Sequence, residues 1–385
     1  MSKTPRTWPV LQDAERRVLL ELLLRGAQSR VRLAERVGLS RASLTRIARE
    51  LLATGLVAEG EAEARATRGR PAEVLRIVPE AAHFVGVKLT GEAAYVVLTD
   101  LAARIVDEQT ILLPNREVDD VVGIVARATE RLTADVELPA GIGIGVAGDI
   151  VLRDGRAVLE RSGFLGWHGV ALADAVSAAT ALPTIAVNDV HALAAAHHWF
   201  GGLARHRSLV VYGIGAGIGS GVVIEDEVLT GAHGRAGRIG HQRIGGVGRR
   251  CDNGHDDCVH SFVTMSAVEE NSGVGAGEYA EAVRRAHAGD ERALEAFRRA
   301  AFALGAVVAE SVNAFDPELV ALMGEGLDML DLASEQLRVA LAEFLEQADP
   351  AEVRIERPGF HFDLYARGAA VAAMRGLLAE APPNG

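Results

Sequence analysis

Residues 29–55 read SRVRLAERVGLSRASLTRIARELLATG, and the spacing within them decides the architecture of the first part of the chain. Ser29 stands where a helix N-cap belongs, ahead of RVRLAERVG, in which Val31, Leu33, Ala34 and Val37 are apolar. Gly38-Leu39 supplies a tight turn, and Ser40 caps a further helix, RASLTRIARELLATG. There Leu44, Ile47, Ala48, Leu51 and Leu52 recur at helical spacing and face inward, leaving Arg41, Ser43, Thr45, Arg46 and Arg49 toward solvent. A capped helix, a glycine turn and a second capped helix bearing arginine and hydroxyl side chains form the pattern of a helix-turn-helix, whose second helix enters the DNA major groove. Arginine can bond guanine in a bidentate way, and small hydroxyls can meet phosphates or base edges.

Working outward, QDAERRVLLELLLRG places Val18, Leu19, Leu22 and Leu23 on one stripe of a preceding helix, with Gly26 as its stop. On the other side, Leu56-Val57 and Val74–Ile77 suggest two short strands of a hairpin, the wing, whose loop carries Arg68-Gly69-Arg70-Pro71. Arginines flanking a glycine on an extended loop suit a narrow minor groove. Pro79 marks the expected boundary. The prediction is a winged helix-turn-helix over residues 1–80 that touches DNA through Ser40, Arg41, Ser43, Thr45, Arg46, Arg49, Arg68 and Arg70. A small helical interaction domain with a solvated arginine face is the competing reading, and the basic loop could equally be a plain linker.

Charge supports the first reading. Residues 1–80 hold 15 Lys+Arg against 10 Asp+Glu, whereas the rest of the chain holds 25 against 42. Duplex DNA would repel so acidic a body at long range, so DNA contact falls to the basic N-terminal module. No stretch reaches the roughly 18 consecutive apolar residues of a membrane span, and the opening MSKTPRTWPV has no apolar leader segment. The only two cysteines, Cys251 and Cys258, exclude a disulfide framework. A reduced, cytoplasmic setting is expected. Length points to two or three domains.

From His83 onward the pattern changes. HFVGVKLT, AAYVVLTD and RIVDEQTIL are β-rich runs joined by short turns, and a helix over about Val118–Ala134 precedes the strand AGIGIGVAG. PTIAVND, SLVVYGIGAGIGSGVVI and ELVALMGEG follow, each strand ending in small residues that expose backbone N–H groups. In this order the segments FVGVKLTGEAAYVVLTD, IGIGVAGDIV, FLGW, LPTIAVNDVHALAAAHHWFG, VVYGIGAGIGSGVVI, GAHGRAGRIGH, CDNGHDDC and DPELVALMGEGL resemble the ROK family (repressor, open reading frame, kinase) along nearly the whole chain. The resemblance implies an α/β, two-lobed, actin-like sugar-kinase fold. With a winged helix in front, it is to the family's sugar-responsive repressors, such as those for xylose and N-acetylglucosamine. The implied division is a DNA-binding domain at 1–80 and a kinase-like domain at 81–385. Its first lobe would take about 81–188 plus a C-terminal helix at about 364–380, and its second lobe about 189–363.

Departures from the family kinases bear on function. Their first phosphate loop reads Asp-x-Gly-Gly-Thr, where this chain has Lys88-Leu89-Thr90-Gly91-Glu92. The second, Gly-Thr-Gly, is Gly215-Ala216-Gly217, and the nucleotide loop is Gly324-Glu325-Gly326. Phosphoryl transfer depends on positioning and charge stabilisation of phosphates and metal, so no ATP turnover is expected. Asn188-Asp189, which the resemblance makes the sugar-binding Asn and the general base, survives and could still bond sugar hydroxyls. The family's Gly-Glu-x-Gly-His is Gly237-Arg238-Ile239-Gly240-His241 here, and a further pocket Glu is His260. Both changes remove negative charge, so an anionic effector such as a sugar phosphate or sugar acid is expected, held by Asn188, Asp189, Arg238, His241 and His260. A decayed pocket with no ligand is the alternative.

The resemblance also implies zinc, bound in the pattern His-x9-Cys-x-Cys-x4-Cys. His241, Cys251 and Cys258 hold three of those positions, Asn253 stands at the fourth, and His255 or His260 could supply the remaining bond. For His197, His198 and Trp199 a packed helix end is expected. The expectation overall is a homodimeric, DNA-binding repressor controlled by a sugar-type effector between the lobes. The rivals are an active sugar kinase and a protein-binding scaffold with a vestigial pocket.

Overall fold

A computed structural model describes residues 7–61, 73–137, 139–153, 155–203, 206–246, 248–251, 253–346 and 349–378. The chain divides into two compact units, Met1–Arg205 with Asp363–Gly385, and His206–Phe362.

The first unit opens with α1 (Asp13–Arg25), β1 (Gln28–Ser29), α2 (Arg30–Val37), α3 (Arg41–Thr54), β2 (Val57–Glu61) and β3 (Glu73–Ile77). The caps sit where the sequence places them. The Ser29 side chain accepts the Arg32 N–H, the Ser40 side chain accepts the Ser43 N–H, and Gly38 and Gly55 end their helices in the left-handed conformation. Val18, Leu19, Leu22, Leu33, Leu44, Ile47 and Leu51 close a small core. Val31 is exposed and Leu52 only half-buried, so two residues of the expected apolar faces lie at its rim. The wing hairpin β2–β3 forms, and β1 adds a third strand that the sequence pattern did not signal, in the order β1-β3-β2. Arg68 and Arg70 lie outside the described residues.

After a short 3₁₀ turn at Pro79–Ala81 come β4 (His83–Leu89), β5 (Ala93–Asp100), β6 (Ile105–Leu112), α4 (Val118–Thr133), β7 (Pro139–Val146), β8 (Asp149–Arg153), β9 (Arg156–Ser162), β10 (Trp167–Val170), α5 (Leu172–Thr180), β11 (Thr184–Asn188) and α6 (Asp189–Phe200). The main sheet has the order β11-β7-β4-β5-β6, with β4–β7 and β7–β11 parallel and β4–β5 and β5–β6 antiparallel; β8, β9 and β10 form a small meander. The helix Asp363–Leu378 lies on one face of the main sheet at very close range. A Cβ on Gly86 would meet Ala366 O at 1.9 Å, and one on Gly143 would meet Ala369 O at 1.7 Å. That approach requires glycine in β4 and β7 and explains the small-residue run ARGAAVAA of the helix.

The same helix corrects the expected lobe boundary. The sequence reading started the second lobe at about residue 189, but α6 belongs to the first unit, which continues to Arg205. Gly368 of the C-terminal helix lies so near α6 that a Cβ would sit 2.7 Å from the Ala192 backbone, and α6 buries ten of its residues. A helix buried on nearly every side has no free face and packs with the unit that covers it.

The second unit contains β12 (Leu209–Ile214), β13 (Ile218–Ile224), β14 (Glu227–Val228), α7 (His260–Val263), α8 (Met265–Ser272), α9 (Tyr279–His287), α10 (Glu291–Phe315), β15 (Leu319–Met323), α11 (Met329–Leu332), α12 (Ser334–Phe344) and β16 (Ile355–Glu356). Its sheet runs β14-β13-β12-β15-β16, antiparallel over the first three strands and parallel over the last three. This repeats the order and directions of the first unit's main sheet, a duplicated topology without a visible sequence repeat. α10 is the core helix of this unit, with Phe297, Leu304, Val307 and Val308 fully buried. No described helix is long and apolar enough to cross a membrane.

Candidate functional site

Three places in the fold carry the residues singled out above. The first is the outer face of α3. Arg41, Thr45, Arg46 and Arg49 are exposed on it, while Leu44, Ile47, Ala48 and Leu51 are buried beneath. Ser40 and Ser43 are tied into the cap, their hydroxyls 2.9 Å apart, and Thr45 Oγ1 donates to Arg41 O at 2.9 Å. Arg46 is paired to Glu50 at 2.8 Å. Arg41 and Arg49 have no ion pair among the described residues and are the cations of this helix readiest to meet phosphate or a base edge. Arg76 on β3 is exposed as well.

The second place is the end of β4 and the start of α6, where the kinase relatives implied by the sequence would run their chemistry. Asn188 is the N-cap of α6: its Oδ1 accepts the N–H groups of Val190 and His191, and its Nδ2 donates to Gly148 O at 3.2 Å. Asp189 forms a direct ion pair with Lys88, and both side chains are buried, 10% and 6% exposed. The Lys88 ammonium also stands 5.0 Å over the Tyr365 ring. Lys88 was visible as a departure from the phosphate-loop pattern, but its partner was not. The available signal was a lysine inside the apolar run FVGVKLT, since a buried ammonium requires a counter-charge. Beside it, Thr90 closes its own turn, Oγ1 accepting the Ala93 and Glu92 N–H groups at 3.0 and 3.2 Å, so those amides do not point at a ligand.

The other two nucleotide loops lie in the second unit and are likewise filled from within. Gly215 N–H donates to Gly217 O at 2.9 Å and Gly326 N–H to Ile214 O at 3.1 Å. The Glu325 carboxylate rests against Gly215 so closely that a Cβ there would fall 2.3 Å from Oε1. A carboxylate at that distance repels a phosphate group and occupies part of its volume.

The third place is the loop between β14 and α7. His241, Cys251 and Cys258 are brought together, with one ligand atom from each all within 4.8 Å of one another. His241 Nδ1 lies 3.6 Å from Cys251 Sγ and 3.7 Å from Cys258 Sγ. Such a His/Cys cluster can hold zinc. Asn253, at the position of the family's middle cysteine, faces the other nitrogen of His241, with its amide 2.9 Å from Nε2. His260 stacks on His241 at 5.2 Å between ring centroids, and Arg238 is exposed. Asn188 and Asp189 thus belong to one unit, and Arg238, His241 and His260 to the other.

His197, His198 and Trp199 are buried in α6, and Arg375 lies 4.6 Å over the Trp199 ring. Both ring nitrogens of His197 lack a hydrogen-bond partner among the described residues. Burial, aided by Arg367, pushes its pKa down to about 4.

A winged helix-turn-helix followed by duplicated five-stranded α/β units is the build of a DNA-binding module on an actin-like, sugar-kinase-like fold. The chain belongs to the ROK family, whose model matches residues 84–375. It is 28% identical over 353 residues to a putative xylose repressor of Caldicellulosiruptor sp. strain Rt8B.4, covering 86% of this chain and 88% of that one. It is 25% identical over 316 residues to the dual regulator NagC of Escherichia coli K12, covering 78% and 77%. Among solved structures, a ROK family transcriptional regulator homologous to E. coli Mlc superposes with a TM-score of 0.80 at 23% identity, covering 95% of this chain and 96% of that one. A ROK family glucokinase from Streptomyces griseus gives a TM-score of 0.64 at 23% identity, covering 77% of this chain but 100% of its own. The glucokinase match leaves nearly a quarter of this chain uncovered, whereas the regulator match covers 95% of it.

Proposed function

We propose that this protein is a cytoplasmic, DNA-binding transcription regulator, a repressor of carbohydrate uptake or catabolism genes, answering to a sugar or anionic sugar-derivative effector. The DNA would be read by Arg41, Ser43, Thr45, Arg46 and Arg49 of α3, with Ser40 holding the helix start and Arg68 and Arg70 on the wing loop. Two copies would place two recognition helices on a palindromic site, so a homodimer is part of the reading. The functional division is a winged helix at 1–80 and a kinase-like domain at 81–385. Relatives named as a putative xylose repressor and an N-acetylglucosamine repressor support both the DNA and the sugar parts.

The observation that carries the non-enzymatic half is the Lys88–Asp189 pair. A general base must be free to take a proton from the substrate hydroxyl. Here Asp189, the residue that the family resemblance assigns to that role, has its carboxylate engaged in a buried ion pair with Lys88. The closed turn at Thr90, the internally bonded Gly215 and Gly326 amides, and the Glu325 carboxylate add to this. Asn188 and Asp189 in the first unit remain proposed effector contacts, and so do Arg238, His241 and His260 in the second. The His241–Cys251–Cys258 cluster we read as a structural zinc site that fixes the loop carrying His260.

A coupled assay with Mg-ATP across a panel of sugars tests the enzymatic side, with no turnover above background expected; steady sugar-dependent ADP release would overturn it. Calorimetric titration with matched sugar and sugar-phosphate pairs tests the effector class. Tight binding of a neutral sugar with none of its phosphate contradicts the anionic reading.

A further inference from the structure

We propose that His255 occupies the coordination position vacated by the missing cysteine, giving a Cys₂His₂ site built from His241, Cys251, His255 and Cys258. The proposal deepens the zinc reading above and rests on it. The argument is the geometry of a tetrahedron. With Zn–S near 2.3 Å and Zn–N near 2.0–2.1 Å, a sulfur and a nitrogen on the same ion stand about 3.6 Å apart. His241 Nδ1 lies 3.6 Å from Cys251 Sγ and 3.7 Å from Cys258 Sγ, and His255 Nδ1 lies 3.6 Å from Cys251 Sγ. Three of the six edges are therefore in place, and His255 supplies one of them; it stands just outside the trio whose ligand atoms all lie within 4.8 Å of one another, so its ring turns in toward the ion when the metal binds.

The other nearby side chains fit other places. The rings of His260 and His241 are stacked with only 20° between their planes. A metal lies in the plane of each imidazole that binds it, and two nearly parallel stacked rings share no such point within bonding reach, so His260 is excluded as a second ligand beside His241. His255 is tilted 46° from His241 at 4.6 Å between centroids, and planes so inclined can meet at one ion. Asn253 sits on the far nitrogen of His241. Its amide Nδ2 lies 2.9 Å from Nε2, so Asn253 packs behind the imidazole and outside the ligand cluster.

The loop brings His255 back to Cys251 by its own backbone. The Cys251 N–H donates to His255 O at 3.0 Å, and Gly254 makes the turn at φ +82°. Asp257 braces the start of the loop by accepting the Gly248 and Arg249 N–H groups at 3.1 and 2.8 Å. Histidine at position 255 therefore replaces cysteine at position 253 across a tight turn, exchanging a sulfur ligand for a nitrogen one.

The test is titration of chelator-treated full-length protein with cobalt(II), read by visible absorption, beside the zinc content of the protein as purified. One metal per chain is expected, with the intense ligand-field bands of a tetrahedral site and thiolate-to-cobalt charge transfer. His255→Ala should weaken cobalt binding more than about 100-fold, beyond the 10–100-fold typical of an outer partner. His255→Cys should restore tight binding with stronger charge transfer, which separates ligation from a folding defect; circular dichroism checks each variant. His260→Ala should leave the spectrum unchanged. A His255→Ala variant that keeps the wild-type spectrum and affinity, or a His260→Ala variant that loses them, overturns the assignment. Wild-type protein that takes up no metal overturns the zinc reading itself.

Discussion

Replacing Lys88 by Met removes the ammonium of the buried pair while keeping the length and apolar bulk of the stem. The Lys88 side chain is 6% exposed and that of Asp189 10%, so the remaining carboxylate has little water to replace its partner. Breaking a buried pair from one side destabilises by about 3–5 kcal/mol. For a unit of this size each kcal/mol shifts the midpoint by about 2–4 °C, so a fall of roughly 6–20 °C is expected. Asp189→Leu should do the same from the other side. The double variant Lys88→Met/Asp189→Leu removes both charges, and its loss should be far below the sum, less than about 2 kcal/mol. The assay is urea unfolding followed by tryptophan emission, since all three tryptophans, Trp8, Trp167 and Trp199, lie in the first unit and report on the same transition. Additive single and double losses, or a Lys88→Met variant within about 0.5 kcal/mol of wild type, would refute the pairing and with it the account of why Asp189 is no general base.

Other consequences can be checked in parallel. Arg41→Ala and Arg49→Ala should each weaken DNA binding, measured by anisotropy over a salt series. A phosphate-contacting arginine lowers the salt slope by about 1, whereas a base-reading one costs about 1–3 kcal/mol at one base position. His197 takes a proton near 6.5 when unfolded but near 4 when folded, so it is held neutral in the native state. The stability it contributes is present above pH 6.5 and is lost as pH falls toward 4, by up to about 3 kcal/mol. His197→Phe should flatten that part of the pH–stability curve; an unchanged slope would contradict it. Gly143→Ala places a methyl 1.7 Å from Ala369 O and should cost about 3 kcal/mol or more by thermal melting. Gly163→Ala, with nothing within 4 Å, should leave stability within about 1 kcal/mol.

The elements legible in the sequence are those whose determinants are local. Ser29, Ser40 and Gly38 carry their caps and turns in their own side chains or lack of one, so α2 and α3 were readable to the residue. The alternating and continuous apolar runs from His83 to Asp100 and from Leu209 to Ile224 announced strands in the same way. What escaped depends on partners far along the chain. β1 exists because Gln28 and Ser29 meet Leu75 and Val74, some 46 residues away. The Lys88–Asp189 pair joins residues 101 apart, and α6 enters the first unit because a helix ending at Leu378 covers it. At the metal loop the spacing of His241, Cys251 and Cys258 was readable, but choosing between His255 and His260 needed ring orientation, which no spacing encodes.

The central claim is tested most directly by mixing purified protein with sheared genomic DNA at moderate salt, washing, and sequencing what is retained. Moderate salt matters because nonspecific phosphate binding falls steeply as ionic strength rises. The account predicts enrichment of a few palindromic sites beside sugar-uptake or catabolic genes, lost in an Arg41→Ala/Arg49→Ala variant and altered by the cognate effector. A folded protein that enriches no site, with or without sugars and sugar phosphates, would contradict it.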